Sequence, residues 1–351
     1  MKKFYTLSFI LLASLSFGQS LLYEGFNYTV PGYIGGNSTA TSDAVGSNNW
    51  FTHSNTLTTG VGTDDVIAGS LSYTGLATST GNKVMLPGAN STTPRDVNRP
   101  FTTATTATTI YYSFLINVID NTQLAATASA NGYFASFGAT SGASVASLGA
   151  RLGIVSANTG ANFRLNISNI STGTITYTEN PVDLNFGTTY FVVVKYDRSA
   201  APTVASLWVN PTSLGGVEPA TTVTNNSGTS TFTAFTSICL RNSSATPKAE
   251  IDEIRVGETW ASVTPAAPLG VKQNSIAGLN VYPNPVTDGN LYITSNSSNA
   301  KTVAVYDILG KQVLESKTSN NAVNVSNLKG GAYIVRITED GRTDTRKIII
   351  E

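Results

Sequence analysis

The sequence predicts an all-β chain, a large two-sheet sandwich followed by a small β-sandwich. Three observations point there. Glycine is abundant (Gly 31) and accompanies many Thr, Ser and Asn residues, so turns are frequent. The apolar runs are short, and none shows sustained helical periodicity with caps. Hydrophobic residues make up 41%, enough for packed cores and too many for a disordered chain. The length of 351 residues allows two domains. Lys+Arg 21 balances Asp+Glu 21 without a basic patch, which argues against nucleic acid as a partner.

Taken in order, residues 1–18 read as a signal peptide. Met1-Lys2-Lys3 is basic, residues 4–15 form an apolar run too short to span a bilayer comfortably, and Ser16-Phe17-Gly18 suits cleavage before Gln19. No transmembrane segment is expected after its removal. Residues 19–264 form the large sandwich. Strands are expected at 71–73, 110–118, 132–137, 150–155, 163–168, 190–197, 205–209, 237–241 and 250–256, several of them near-continuous apolar runs of the kind buried in sandwiches. Residues 102–109 and 121–131 read as loops or weak strands. Residues 265–278, with Pro265 and Pro268, read as a linker.

Residues 279–351 read as the small sandwich. A first strand is stopped by Pro283 and Pro285, which cannot donate to a ladder. Strands follow at 291–295, 302–308, 312–316, 332–338 and 343–350. Asp288-Gly289 and Leu309-Gly310 turn the chain between strands. Asp340-Gly341 suits a type I′ hairpin, whose two central residues need positive φ. This segment carries the words Tyr282-Pro283-Asn284-Pro285, Val305-Tyr306-Asp307-Ile308-Leu309-Gly310-Lys311, Gly331-Ala332-Tyr333 and Lys347-Ile348-Ile349-Ile350. In order and spacing they resemble the type A C-terminal sorting domain of the Bacteroidota type IX secretion system. The acidic last residue, Glu351, departs from that pattern. The resemblance implies an immunoglobulin-like sandwich read by the type IX machinery, passage through the periplasm, delivery to the medium or outer cell surface, and removal or replacement of the module near the linker.

The large domain carries a second set of words. Leu21-Leu22-Tyr23-Glu24-Gly25-Phe26-Asn27-Tyr28, Asn98-Arg99-Pro100-Phe101, Tyr111-Tyr112-Ser113-Phe114, Ser206-Leu207-Trp208-Val209-Asn210-Pro211 and the stretch from Ile251 through Gly257 to Trp260 resemble concanavalin A-like (laminin G-like) jelly-roll domains. That resemblance implies a lectin-like sandwich, with glycan binding, adhesion or an accessory role among its uses. In such modules the first and last strands are neighbours. Glu24, Asn27 and Asp252 are therefore candidate ligands of a structural calcium, completed by backbone carbonyls.

Candidates for chemistry are few. His53 is the only histidine, so any histidine-based acid–base pair or triad depends on it. In its polar-aromatic surroundings it reads as a solvated loop residue. One His and one Cys exclude a zinc site built from several of them. Cys239 lies in a predicted strand and reads as a buried, inert thiol. A glycosidase needs two carboxylates roughly 5–5.5 Å or 6.5–9.5 Å apart. Glu250 with Asp252 and Asp64 with Asp65 are the acidic pairs, and neither sits where such a pair is expected. Tyr28, Tyr33, Trp50, Phe51 and Tyr73 are candidates for stacking a sugar, with Trp208 and Trp260 reading as structural. The expectation is a non-catalytic, exported protein whose sandwich binds extracellular polysaccharide. The alternatives are a structural or adhesive surface protein and a relative of glycoside hydrolases or polysaccharide lyases.

Overall fold

The computed structural model describes residues 20–35, 49–54, 64–88, 95–128, 132–170, 174–221, 223–228, 232–243, 245–267 and 275–351. The expected signal peptide lies outside them. The chain divides into two compact units, Met1–Ala267 and Pro268–Glu351.

The first unit is an all-β, jelly-roll-type sandwich. Among the described residues, a nine-stranded antiparallel sheet faces a seven-stranded one. The larger sheet is centred on Thr109–Val118, paired with Thr189–Asp197 on one side and Lys248–Gly257 on the other. These strands are apolar almost throughout because both faces are covered. Tyr112, Phe114 and Ile116 enter the core between the sheets. Tyr111 and Leu115 enter a second cluster with Phe191, Val193, Trp208 and Trp260 on the other side. Each fully buried Leu, Ile, Val or Phe contributes about 1.5–3 kcal/mol relative to exposure. A four-residue helix, Trp260–Val263, supplies part of that outer cover. Thr259 and Ser262 cap its start reciprocally. Residues 71–73, expected as a strand, instead form loop packed on this outer cluster.

The smaller sheet runs in the order Thr178–Glu179, Asn162–Ser168, Leu148–Ala157, Tyr133–Gly138, Phe235–Arg241, Asp96–Thr105, Phe51–Ser54. Of the two readings of 102–105, loop or weak strand, the structure has the strand, as the end of Asp96–Thr105. Thr105 pairs with Phe235, and the register shifts before Pro100 pairs with Ser237. At the far end of the unit, residues 265–267 still belong to the sandwich. The Ala77 amide donates to the Pro265 carbonyl and the Ala267 amide to the Gly75 carbonyl, both at 2.8 Å.

The second unit packs a three-stranded sheet (Asn280–Tyr282, Asn290–Thr294, Ala322–Asn324) against a four-stranded one (Gln312–Thr318, Lys301–Tyr306, Gly331–Glu339, Arg342–Ile350). Leu291, Ile293, Val303, Val305, Val335, Ile337 and Ile348 fill the space between. Asp340 and Gly341 have φ of 51° and 75°, and Glu339 pairs with Arg342, as a two-residue I′ hairpin requires. The proline-flanked Asn284 has a structural task. Its Oδ1 accepts from the Ile349 amide at 2.9 Å and its Nδ2 donates to the Lys347 carbonyl at 3.2 Å. An amide side chain thus stands in for strand backbone between two residues that have no N–H to give.

Candidate functional site

Strand alternation puts Val97, Leu152, Ile238 and Leu240 of the smaller sheet into the core. Their neighbours Asp96, Asn98, Arg151, Cys239 and Arg241 therefore stand on the sheet's other face. The guanidinium carbon of Arg151 lies 4.8 Å from the Tyr133 ring centroid, and that of Arg241 lies 4.6 Å from it. Two cations thus pack on one aromatic ring, whose π-electrons attract both. Arg241 also lies 3.6 Å from Asp96.

Asn98, fully buried, ties down the far side of this face. Its Nδ2 donates to the carbonyls of Gly142 (2.8 Å) and Phe51 (3.2 Å) and lies 3.1 Å from His53 Nδ1. Its Oδ1 accepts from the Gly142 amide at 2.9 Å. An amide nitrogen only donates, so His53 accepts at Nδ1 and carries its hydrogen on Nε2. Burial, then the Arg241 charge, lowers the His53 pKa to about 4, so the ring is neutral at physiological pH. His53 sits half-buried on the strand Phe51–Ser54, which corrects the reading of it as a solvated loop residue.

Several polar groups on this side of the sheet have no hydrogen-bond partner among the described residues, Ser136 Oγ with them. The Tyr177 hydroxyl is buried without a hydrogen bond, and so is Asn166 Oδ1. Burial raises the Tyr177 pKa, while Arg151 and Arg241 both pull it down. Tyr133 is raised by burial and lowered by the same two arginines. The Asn166 amide occupies space opened by Gly153, its cross-strand neighbour, where a Cβ would lie 2.2 Å from Oδ1. Buried polar atoms are almost always satisfied in folded proteins, so two orphans beside two guanidiniums mark a place prepared for a polar guest. Beneath them Cys239 is buried, with its thiol pushed up to about 12, the inert residue expected.

The residues anticipated from sequence lie elsewhere. Glu24 Oε1 accepts from the Phe26 amide at 2.8 Å. Its Oε2 accepts from the Tyr28 hydroxyl and from Trp50 Nε1 (3.1 Å), and Arg99 Nε lies 3.2 Å away. Asn27 is exposed. Asp252 accepts from the amides of Leu71 (2.8 Å) and Glu253 (2.7 Å). Donors already face the Glu24 and Asp252 oxygens a calcium would need, so these two carboxylates do not fit a calcium shell. Glu250 pairs with Lys83 at 2.7 Å. Asp64 is fully buried near Arg95, and burial raises its pKa well above the usual range. Among the aromatics, Trp50 is stacked on Phe26 inside the core, Tyr73 packs on Phe191, and Tyr33 lies under Arg95. Trp208 and Trp260 pack edge to face at 5.1 Å.

A signal for this cluster was in the sequence. Arg151 and Arg241 interrupt apolar strand runs in a chain where charged residues are only 12%. A cation in such a run, out of phase with the core positions, belongs on the opposite face of its strand.

Residues 280–351 match the family described as secretion system C-terminal sorting domain. The chain is 34% identical over 86 residues to the ulvan lyase NLR42 of Nonlabens ulvanivorans, covering 23% of this chain and 16% of that protein. It is 29% identical over 87 residues to an endo-acting ulvan lyase of Formosa agariphila, covering 23% and 17%. The chain thus spans about a sixth of the length of the curated relatives it matches. The expectation that it is not an enzyme is overturned here, since both relatives are named lyases. Among solved structures, the T. cruzi calreticulin globular domain is similar at TM-score 0.39 and 11% identity, covering 69% of this chain and 89% of that one. The endo-β-1,4-glucuronan lyase of Trichoderma reesei is similar at 0.38 and 12%, covering 71% and 100%. The Ca2+/Man3GlcNAc-bound VIP36 exoplasmic/lumenal domain is similar at 0.33 and 10%, covering 54% and 85%. The C-terminal unit of this chain is a sorting domain of the type IX secretion system, which directs export to the cell surface or the extracellular space.

Proposed function

We propose that the sandwich binds an acidic, uronate-containing polysaccharide across the outer face of its smaller sheet and cleaves it by β-elimination. The observation that carries this reading is the row of polar groups along one face of the sheet: Arg151, Arg241 and Tyr133 near the unpartnered Tyr177 hydroxyl, Asn166 on the strand next to that of Arg151, and His53 beyond Arg241. The lyase names of the curated relatives lend it support.

Elimination needs the uronate carboxylate neutralised, so that the proton on C5 becomes acidic. It needs a base for that proton and an acid for the departing O4. Arg151 and Arg241 supply the neutralising charge, and His53 Nε2–H and the Asn166 amide supply polar contacts to different sugars along the polymer, since their strands lie at opposite sides of the sheet. Tyr177 is the proton-transfer group. As phenolate it takes the C5 proton; the C4–O4 bond breaks, a C4=C5 double bond forms, and the phenol returns the proton to O4. No oxidant, reductant or water is consumed. Because burial raises the Tyr177 pKa, the rate rises with pH through the alkaline range as the phenolate fraction grows.

The test incubates the purified chain with ulvan and with a polyglucuronate and follows the ultraviolet absorbance of the new double bond. The expected result is product from wild type and none from Tyr177→Phe. Absence of unsaturated ends from every uronate polymer tried, with the polymer still bound, would remove the cleavage step. Absence of binding as well would remove the whole reading.

A further inference from the structure

The sorting domain exposes apolar surface out of proportion to its size. Of the ten large hydrophobic residues exposed among the described residues, six belong to it: Tyr282, Tyr292, Ile308, Leu309, Ile334 and Ile349. The two most conspicuous are adjacent. Ile308 is 79% exposed and Leu309 is 89% exposed, at the tip of the hairpin between Lys301–Tyr306 and Gln312–Thr318. Water gains nothing from such a pair, and a soluble module has no folding reason to hold it there.

The tip is held firmly. Asp307 Oδ1 accepts from the amides of Leu309 (2.9 Å) and Lys311 (3.0 Å). The Asp307 carbonyl accepts from the Gly310 amide, and the Asp307 amide donates to the Lys311 carbonyl, both at 3.0 Å. Gly310 takes φ of 83°, which lets the turn close. The pair is therefore presented in one geometry, and little conformational entropy is lost when a partner takes it. The surface continues onto the solvent face of the adjoining sheet, where Tyr306 pairs with Ile334, and Ile334 with Lys347. Lys311, Arg336 and Lys347 stand exposed around it.

We propose that the Ile308–Leu309 tip is the docking knob by which the secretion machinery reads this domain. The occupant is a protein pocket of that machinery, apolar at its floor and acidic at its rim. The side chains enter the pocket while the basic residues meet the rim. Two aliphatic anchors lost from one interface weaken it on the order of tenfold or more.

The experiment expresses the full chain in a bacterium with a type IX system and compares cell-associated with exported protein. Ile308→Asp/Leu309→Asp is expected to lower the exported fraction on the order of tenfold, with the melting temperature of the purified chain unchanged because neither side chain is in the core. Ile308→Ser/Leu309→Ser is expected to do the same, and Lys311→Glu to give a smaller loss. Val217→Asp, at an exposed position of the sandwich, is the control and is expected to export normally. Normal export of the double variants would overturn the proposal, as would an equal loss in Val217→Asp. Wild type that self-associates through the tip, with monomeric double variants that export normally, would assign the knob to a second copy instead and also overturn it.

Discussion

Two groups of buried polar residues in the sandwich invite comparison. On the closing strand, Asp252 accepts from two backbone amides. Glu253 accepts from the Tyr23 hydroxyl (2.8 Å), the Thr80 amide (3.0 Å) and Arg255. On the outer face of the smaller sheet, the Tyr177 hydroxyl and Asn166 Oδ1 have no partner among the described residues. Both groups are costly to bury. One is satisfied from within, as a structural group is; the other is left open, as the proposed site requires. Satisfaction, rather than acidity or residue type, separates them.

Tyr177→Phe gives the largest expected effect that could break this contrast. It removes an unpartnered hydroxyl, so the melting temperature should hold or rise, while cleavage falls roughly 10²–10⁴-fold. A large loss of stability would place Tyr177 with the structural group. Glu253→Ala should do the reverse. It leaves the buried Arg255 without its carboxylate, destabilising the sandwich by about 3–5 kcal/mol in a denaturant titration, with little effect on activity per folded molecule.

The pH dependence sharpens the contrast further. Burial raises Asp252 to about 7 from 3.8 and raises Asp64 well above its usual range. Between the ordinary carboxylate value and neutrality the folded state then holds more protons than the unfolded chain. Stability from these residues falls as pH rises through that window and is fully present below it. His53, lowered to about 4 from 6.5, acts oppositely and only below about pH 6.5. Melting temperature should therefore decline from about pH 6.5 to about pH 8, and Asp252→Asn should flatten the decline. A rising curve would contradict the buried acids. The smallest effect concerns metal. Chelator treatment should leave the melting temperature of the sandwich unchanged, because donors already occupy the Glu24 and Asp252 oxygens.

The sequence made the architecture legible because two-sided burial leaves near-continuous apolar runs, as in Thr189–Asp197, and because Asp340-Gly341 can only turn one way. It left residues 102–105 open between loop and weak strand, because threonines suit both until the pairing of Asp96–Thr105 is known. It drew attention to Asp252 and Glu24 because carboxylates suggest chemistry, whereas their partners, Leu71 and Trp50, are far away along the chain. The candidate site itself joins five strands and an edge residue, and only the register reveals which side chains of those strands share a face. Arg151 and Arg241 were visible as charges among apolar residues; Asn166 needed Gly153 opposite it to matter.

The Asn98 amide has one more consequence. It fastens the Phe51 carbonyl, the His53 ring and both backbone groups of Gly142 with a single side chain. The loop carrying Gly142 is thus mechanically linked to the histidine. Exchanging that loop would shift the imidazole as well, so engineers cannot treat the loop and the histidine as independent parts.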